Sequence, residues 1–218
     1  MKRFIKILGV VIVVATLSIF GYGAKGYLDV IKRGEELRAR ADALIAAGRG
    51  PDSLGEERLR VLLLVQDPGF HRHSGIDLAT PGAGLTTLAQ SVAKRLAFDH
   101  FRPGIGKIRQ TGFALGLSRE LSKDQLIALF LRTAEMGNSA QGWVTGFHKA
   151  SEVFFNKPVG KLADEEFYAL VAVLIAPGKL RLSMPDNALK TRVRRIARLA
   201  RGVCKPLSLT DVWLRGCE

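Results

Sequence analysis

The feature that most limits what this chain can fold into lies at its start. Ile7 to Ala24 carries no charged residue and is almost wholly apolar or small. At a rise of about 1.5 Å per residue such a segment spans about 27 Å, enough to cross a hydrocarbon core as a helix. Lys2, Arg3 and Lys6 precede it. The positive-inside rule therefore puts the N-terminus in the cytoplasm and everything after the segment outside. A cleaved signal peptide is the competing reading, because Gly21-Tyr22-Gly23 is a small-x-small site. The apolar stretch exceeds the usual signal length and helical sequence follows it directly. An uncleaved single-pass anchor, carrying a domain that faces the periplasm or exterior, is the reading adopted.

With the anchor set aside, the 218-residue chain has length for about one domain. Its 47% apolar content is that of a globular protein. The formal net charge of +13 favours phosphate-bearing partners: nucleic acid, anionic lipid headgroups or a diphosphate-linked substrate. The anchor turns that choice toward lipid, and no nucleic-acid recognition module is evident. Two cysteines, Cys204 and Cys217, sit near the C-terminus. In an oxidising compartment they can close the tail into a loop worth about 3 kcal/mol, the alternative being two free thiols. No Cys and His spacing suits a metal, and none is expected.

Periodicity and breakers predict a mainly α-helical domain with little period-2 alternation. Tyr27 to Ala47 reads as a charged amphipathic helix ended by Gly48-Arg49-Gly50-Pro51. Helical stretches are expected at Thr86 to Phe98, Ile108 to Leu117, from Ser122 onward, Trp143 to Phe155, Asp164 to Ile175 and Leu189 to Ala200. Ser122-Lys123-Asp124-Gln125 fits a capping box, followed by an apolar stripe of Leu126, Leu129, Phe130 and Thr133. The expected organisation is an anchor over 1–26, a juxtamembrane helix and linker over 27–58, a domain over 59–203 and a tail over 204–218.

Five motifs follow one another in order. Gln66-Asp67-Pro68-Gly69-Phe70-His71-Arg72-His73-Ser74-Gly75 resembles the first signature of glycosyltransferase family 51, E-D-x-x-F-x-x-H-x-G, with Gln66 in place of its Glu. These are the peptidoglycan polymerases that act on lipid II. Gly84 through Lys94 is similar to G-G-S-T-I-T-Q-Q-L-x-K, matching at Gly84, Thr87, Gln90 and Lys94. Gly106-Lys107-Ile108-Arg109-Gln110 stands where the family has R-K-x-x-E, matching at Lys107 and carrying Gln110 in place of the Glu. The fourth signature, E-x-x-x-N, is eroded to Ala128 and Arg132. Gly146 through Pro158, then Leu162 through Pro177, resemble the remaining patterns. The resemblance implies a lysozyme-like helical lobe with a smaller membrane-proximal lobe, set in the envelope of a bacterium at its inner membrane.

It also implies a reaction. The first-signature Glu deprotonates the acceptor sugar's hydroxyl, which displaces a lipid diphosphate, and the third-signature Glu with neighbouring bases helps to hold that diphosphate, often with a divalent cation such as Mg or Mn. Glutamine matches glutamate in shape but cannot act as a general base, a role typically worth about 10²- to 10⁴-fold. With Gln66 and Gln110 at both acidic positions, no residue is confidently catalytic; Glu135 is the substitute that stands out, expected at the end of the helix bearing the fourth signature. The substrate-binding candidates are Asp67, His73, Thr87, Gln90, Lys94, Lys107, Arg109 and Arg132. Of these, Asp67 and His73 also suit a structural role, and the basic ones an ordinary solvated one. Arg192, Arg194, Arg195, Arg198 and Arg201 read as a solvated face or a contact for anionic headgroups.

Three functions remain open. The first is a degenerate member that binds lipid-linked disaccharide diphosphate or nascent glycan, or a protein partner in the envelope, without polymerising. The second is an active glycosyltransferase with a relocated carboxylate. The third is an envelope scaffold with a vestigial cleft.

Overall fold

In the computed structural model, residues 2–218 are described, and they form eight α-helices, a two-stranded hairpin and three short 3-10 turns. The fold is mainly helical, as the periodicity predicts. Its largest element is α1, Lys2–Ala46, an unbroken helix of 45 residues and so about 68 Å long. The expected anchor and juxtamembrane helix are one rod. Ile7 to Phe20 is exposed along its whole length and leaves its apolar side chains bare, as a lipid-facing segment requires. Further along, Val30, Leu37 and Ala41 are fully buried, so the same rod enters the domain core.

The remaining helices are α2 (Glu56–Gln66), α3 (Leu88–Leu96), α4 (Gly106–Glu120), α5 (Lys123–Thr133), α6 (Phe147–Phe155), α7 (Asp164–Val173) and α8 (Asn187–Ala200). Two of them begin with reciprocal capping boxes. Ser122 Oγ accepts from the Gln125 N–H while Gln125 Oε1 accepts from the Ser122 N–H, at 3.1 and 2.9 Å. Thr87 and Gln90 do the same at the start of α3. The stripe expected on α5 is buried, with Leu126, Leu129 and Phe130 packed in the core. Phe130, Phe147 and Phe167 stack in tilted geometry through the centre, joining α5, α6 and α7.

Two expectations fail locally. The stretch from Trp143 is not helical at its start. Strand β1 (Glu135–Ser139) pairs antiparallel with β2 (Gly142–Thr145), and α6 begins only at Phe147. Glu135 therefore opens a strand rather than ending α5, which stops at Thr133. The chain turns extended at Ala134, and within β1 Gly137 holds φ +93° beside the Pro177 carbonyl, which leaves no room for a side chain.

Helix α1 meets α4 almost backbone to backbone. Gly112 faces the Gly23 carbonyl, and Gly26 faces the Arg109 carbonyl. A Cβ at either glycine would enter the opposing main chain. One turn on, Val30 packs over Gly116. Small residues at this spacing permit close helix approach where apolar burial alone gives little preference, as at a bilayer edge. Arg109 adds an ion pair of 2.7 Å to Asp29. Burial works against ionising that carboxyl, yet hydrogen bonds from Arg109 and Lys25 keep its pKa below the usual range. This contact fixes α4, and with it the third motif, to α1.

Candidate functional site

The site is assembled on the N-terminal end of α3. Asp67, at the end of α2 and fully buried, uses both carboxylate oxygens. Oδ1 accepts from His73 Nε2 at 2.8 Å, and Oδ2 accepts from the Leu88 N–H at 2.9 Å. His73 Nδ1 in turn accepts from the Gly75 N–H at 3.0 Å. The imidazole proton therefore sits on Nε2, facing Asp67. Asp77 lies close to this pair, but an Nε2 that carries a proton offers no lone pair to a metal. Asp67 and His73 form a brace. Asp77 beside them accepts through Oδ1 from the Ala79 and Thr80 N–H groups at 2.9 Å each, while its Oδ2 is buried without a partner.

Thr87 and Gln90 extend the brace. The Thr87 hydroxyl donates to the Gly75 carbonyl at 2.7 Å, tying the first motif to the start of α3. Gln90 Nε2 donates to Thr111 Oγ1 at 3.1 Å, and Gln110 Nε2 donates to the Gln90 carbonyl at 2.7 Å, tying α3 to α4. Gln110 is buried, with its Oε1 left without a partner. Asp67, His73, Thr87 and Gln90 thus hold the scaffold. Their place in the sequence pattern marked them, and their hydrogen bonds say what they do.

In front of the brace opens a cleft of about 500 Å³. Gln66 lines it from the end of α2, Thr86 and Thr87 from the loop before α3, and Lys94 and Arg95 from the last turn of α3. Arg192 of α8 and Val212 of the tail close it. Among the described residues, no aspartate or glutamate lines this cleft. Lys107 stands beside it, its Nζ donating to Thr86 Oγ1 at 3.0 Å. Burial lowers the Lys94 pKa, and Arg95 lowers it further against an opposing effect of Glu135. Burial also lowers Lys107, and Lys94 adds to it. The two ammonium groups therefore sit near enough to repel, a cost that a bound anion would remove.

The other candidates lie elsewhere. Arg109 points to α1, paired with Asp29 and stacked on Phe98. Arg132 is exposed on another face, in a small depression with Arg49, His148 and Lys149. Glu135 makes an ion pair of 2.6 Å with Arg95 and does not line the cleft. Two cleft cations, Arg95 and Arg192, went unmarked as ligand-binding residues in the sequence. Arg95 adjoins a motif residue, which was a usable hint; Arg192 falls in a basic run where only tertiary packing separates the inward residue from its neighbours. At the tail, Cys204 and Cys217 are joined by a disulfide.

Comparison with known proteins agrees with this geometry. The family described as Transglycosylase matches residues 51–201, which holds every residue of the brace. A biosynthetic peptidoglycan transglycosylase of Cronobacter sakazakii is 30% identical over 152 residues, covering 64% of this chain and 61% of its own. Penicillin-binding protein 1B of Buchnera aphidicola is 31% identical over 152 residues, covering 63% of this chain and 20% of its own. A biosynthetic peptidoglycan transglycosylase of Escherichia coli O81 is 29% identical, covering 60% and 58%. The chain thus spans about three fifths of the biosynthetic transglycosylases it matches and a fifth of the longer penicillin-binding protein. With more than half of its length matched, and its first three motifs built into one brace and cleft, the chain belongs to the transglycosylase family.

Proposed function

We propose that this protein is a membrane-anchored member of the transglycosylase family that binds a lipid-linked glycan diphosphate in its cleft without polymerising it. One observation carries the reading: the cleft is lined by Lys94, Arg95 and Arg192 and by no carboxylate. An anion gains from such a wall, since charge-assisted hydrogen bonds are roughly twice as strong as neutral ones. A glycosyl transfer lacks its base there. Gln66 occupies the position of the expected general base, and its amide cannot take a proton at neutral pH.

Gln110 strengthens the reading from a different direction. Its amide N–H donates to the Gln90 main-chain carbonyl, a role a carboxylate cannot fill. The residue is part of the brace, and a glutamate there would set an anion against a carbonyl oxygen. Glu135 as a substitute base is disfavoured by its ion pair with Arg95. The family and its relatives' names point to a lipid-linked precursor of peptidoglycan as the ligand. The divalent cation that an active member uses has no acidic ligand in this cleft, so no step is assigned to it.

Equilibrium binding of labelled lipid II to the full chain in detergent tests the reading. Binding that Lys94→Ala weakens about tenfold or more is expected, the loss of one charge-assisted contact. Absence of saturable binding by the wild-type chain would refute it.

A further inference from the structure

Arg192 is the least satisfied cation in the molecule's described core. It is 2% exposed, and burial pushes its pKa down to about 10. A guanidinium offers five N–H donors. Here one acceptor is in place, the Val212 carbonyl, 2.8 Å from Nη1, while Nε is buried with no partner. No carboxylate lies within ion-pair distance of it among the described residues. The Asp211 charge favours the cation from a distance and Arg195 opposes it, but the Asp211 oxygens are hydrogen-bonded by the N–H groups of Leu207, Arg215 and Gly216. Burying a charge in this state is costly unless something completes its hydrogen bonds. Its side chain lines the cleft, which is where the missing acceptors can come from.

The tail holds Arg192 in place and shapes the cleft around it. The Cys204–Cys217 bond closes a loop that runs over the glycine-rich segment before α3. The Gly82 and Gly84 N–H groups donate to the Ser208 and Leu209 carbonyls at 2.9 and 2.8 Å. Pro206 sits on Gly82 and Val212 on Gly84, positions where a side chain would collide. The Trp213 ring lies under the Arg192 guanidinium, 5.4 Å from its carbon. One wall of the cleft is therefore this loop.

We propose that Arg192 and the disulfide-closed C-terminal loop form a second anion subsite, which takes a carboxylate or phosphate of the ligand bound in the cleft. The idea rests on the reading of the cleft as an anion-binding site, and adds a residue outside the family motifs together with a dependence on the disulfide. A loop freed by reduction can leave the glycine-rich segment, so the subsite would loosen while the brace behind α3 stays intact.

The test measures affinity of the full chain in detergent for two probes, inorganic pyrophosphate and lipid II. Lys94→Ala, Arg192→Gln, Arg192→Lys, Val212→Asp and disulfide-reduced protein are compared with wild type. Arg192→Gln is expected to weaken binding about tenfold or more, with partial recovery in Arg192→Lys. Weakening for both probes identifies the anion as a phosphate, and weakening for lipid II alone identifies it as a carboxylate. Val212→Asp leaves the main-chain bond to Arg192 in place but sets a negative charge in the same wall, and should weaken binding too. It answers the question if Arg192→Gln fails to fold. Reduction should lower affinity in the same arm. Unchanged affinity in Val212→Asp and in the reduced protein, with loss in Lys94→Ala, overturns the second subsite and spares the cleft reading. A wild-type chain that binds neither probe overturns both.

Discussion

At position 110 an amide and a carboxylate differ by the amide's two N–H donors, and the structure uses one of them. Gln110→Glu should lose the bond to the Gln90 carbonyl and leave an acid in a buried place. A cost of about 1–3 kcal/mol is expected. Its pH dependence has a definite sign. Burial beside a carbonyl raises the carboxyl's folded pKa above about 4.3, its usual unfolded value, so the folded state holds the proton longer. Stability of the variant then falls, relative to wild type, as pH rises through that interval. Thermal unfolding at pH 4 and pH 8 checks this, and an equal deficit at both would contradict it. Lys94 and Lys107 titrate in the opposite regime. Burial holds both below the ordinary lysine value of 10.5, so each loses its charge earlier than a surface lysine. Pyrophosphate affinity of the wild-type chain should decline as pH approaches 10.5 from below, and Lys94→Arg should resist the decline. A profile unaffected by that replacement would remove Lys94 from the site. The sequence pattern marks Asp67, His73, Thr87 and Gln90, yet does not show the hydrogen bonds by which they brace the cleft. Those bonds run between α2, α3 and α4, and no single motif contains them.

Among elements, the α1–α4 contact is the most demanding. Gly112 and Gly26 admit no side chain, because the opposing main chain occupies the space where Cβ would go. Gly112→Ala should separate the two helices, at a cost of about 1–3 kcal/mol or more, read as a lower unfolding temperature in detergent. A variant as stable as wild type would show that the helices do not meet this way. Both capping boxes have the spacing of a hydroxyl residue followed at the third position by glutamine, and the one at Ser122 and Gln125 is legible in the sequence because a clear apolar stripe follows it. The hairpin was not. Its first strand is irregular between Glu135 and Gly137, so the alternation that announces a strand is broken, and the strained glycine depends on Pro177 far along the chain. A helix reading from Trp143 was the natural error, since true helical spacing begins a few residues later at Phe147.

For the molecule as a whole, one rod joins an exposed apolar segment, long enough to cross a membrane, to the domain core. The small-x-small site at Gly21 to Gly23 lies inside that rod, with Gly23 against α4. Removal of the segment at that site would cut the helix where it is held most closely. The full 23.8 kDa chain should therefore be recovered from membranes, and an intact mass short of the first two dozen residues would contradict an uncleaved anchor. The cationic excess was plain from composition, but its distribution was not: Arg109 serves α1, Arg132 another face, and Arg192 the cleft. Composition fixes how much charge there is, and packing alone decides where it points. The central claim is that this cleft retains the anion site of its family and lacks the base. Purified full-length protein incubated with labelled lipid II and Mg²⁺ or Mn²⁺, with bound ligand and glycan polymer measured in the same sample, tests it most directly. Saturable binding without polymer is the predicted result, and polymer formed by the wild-type chain would contradict the account.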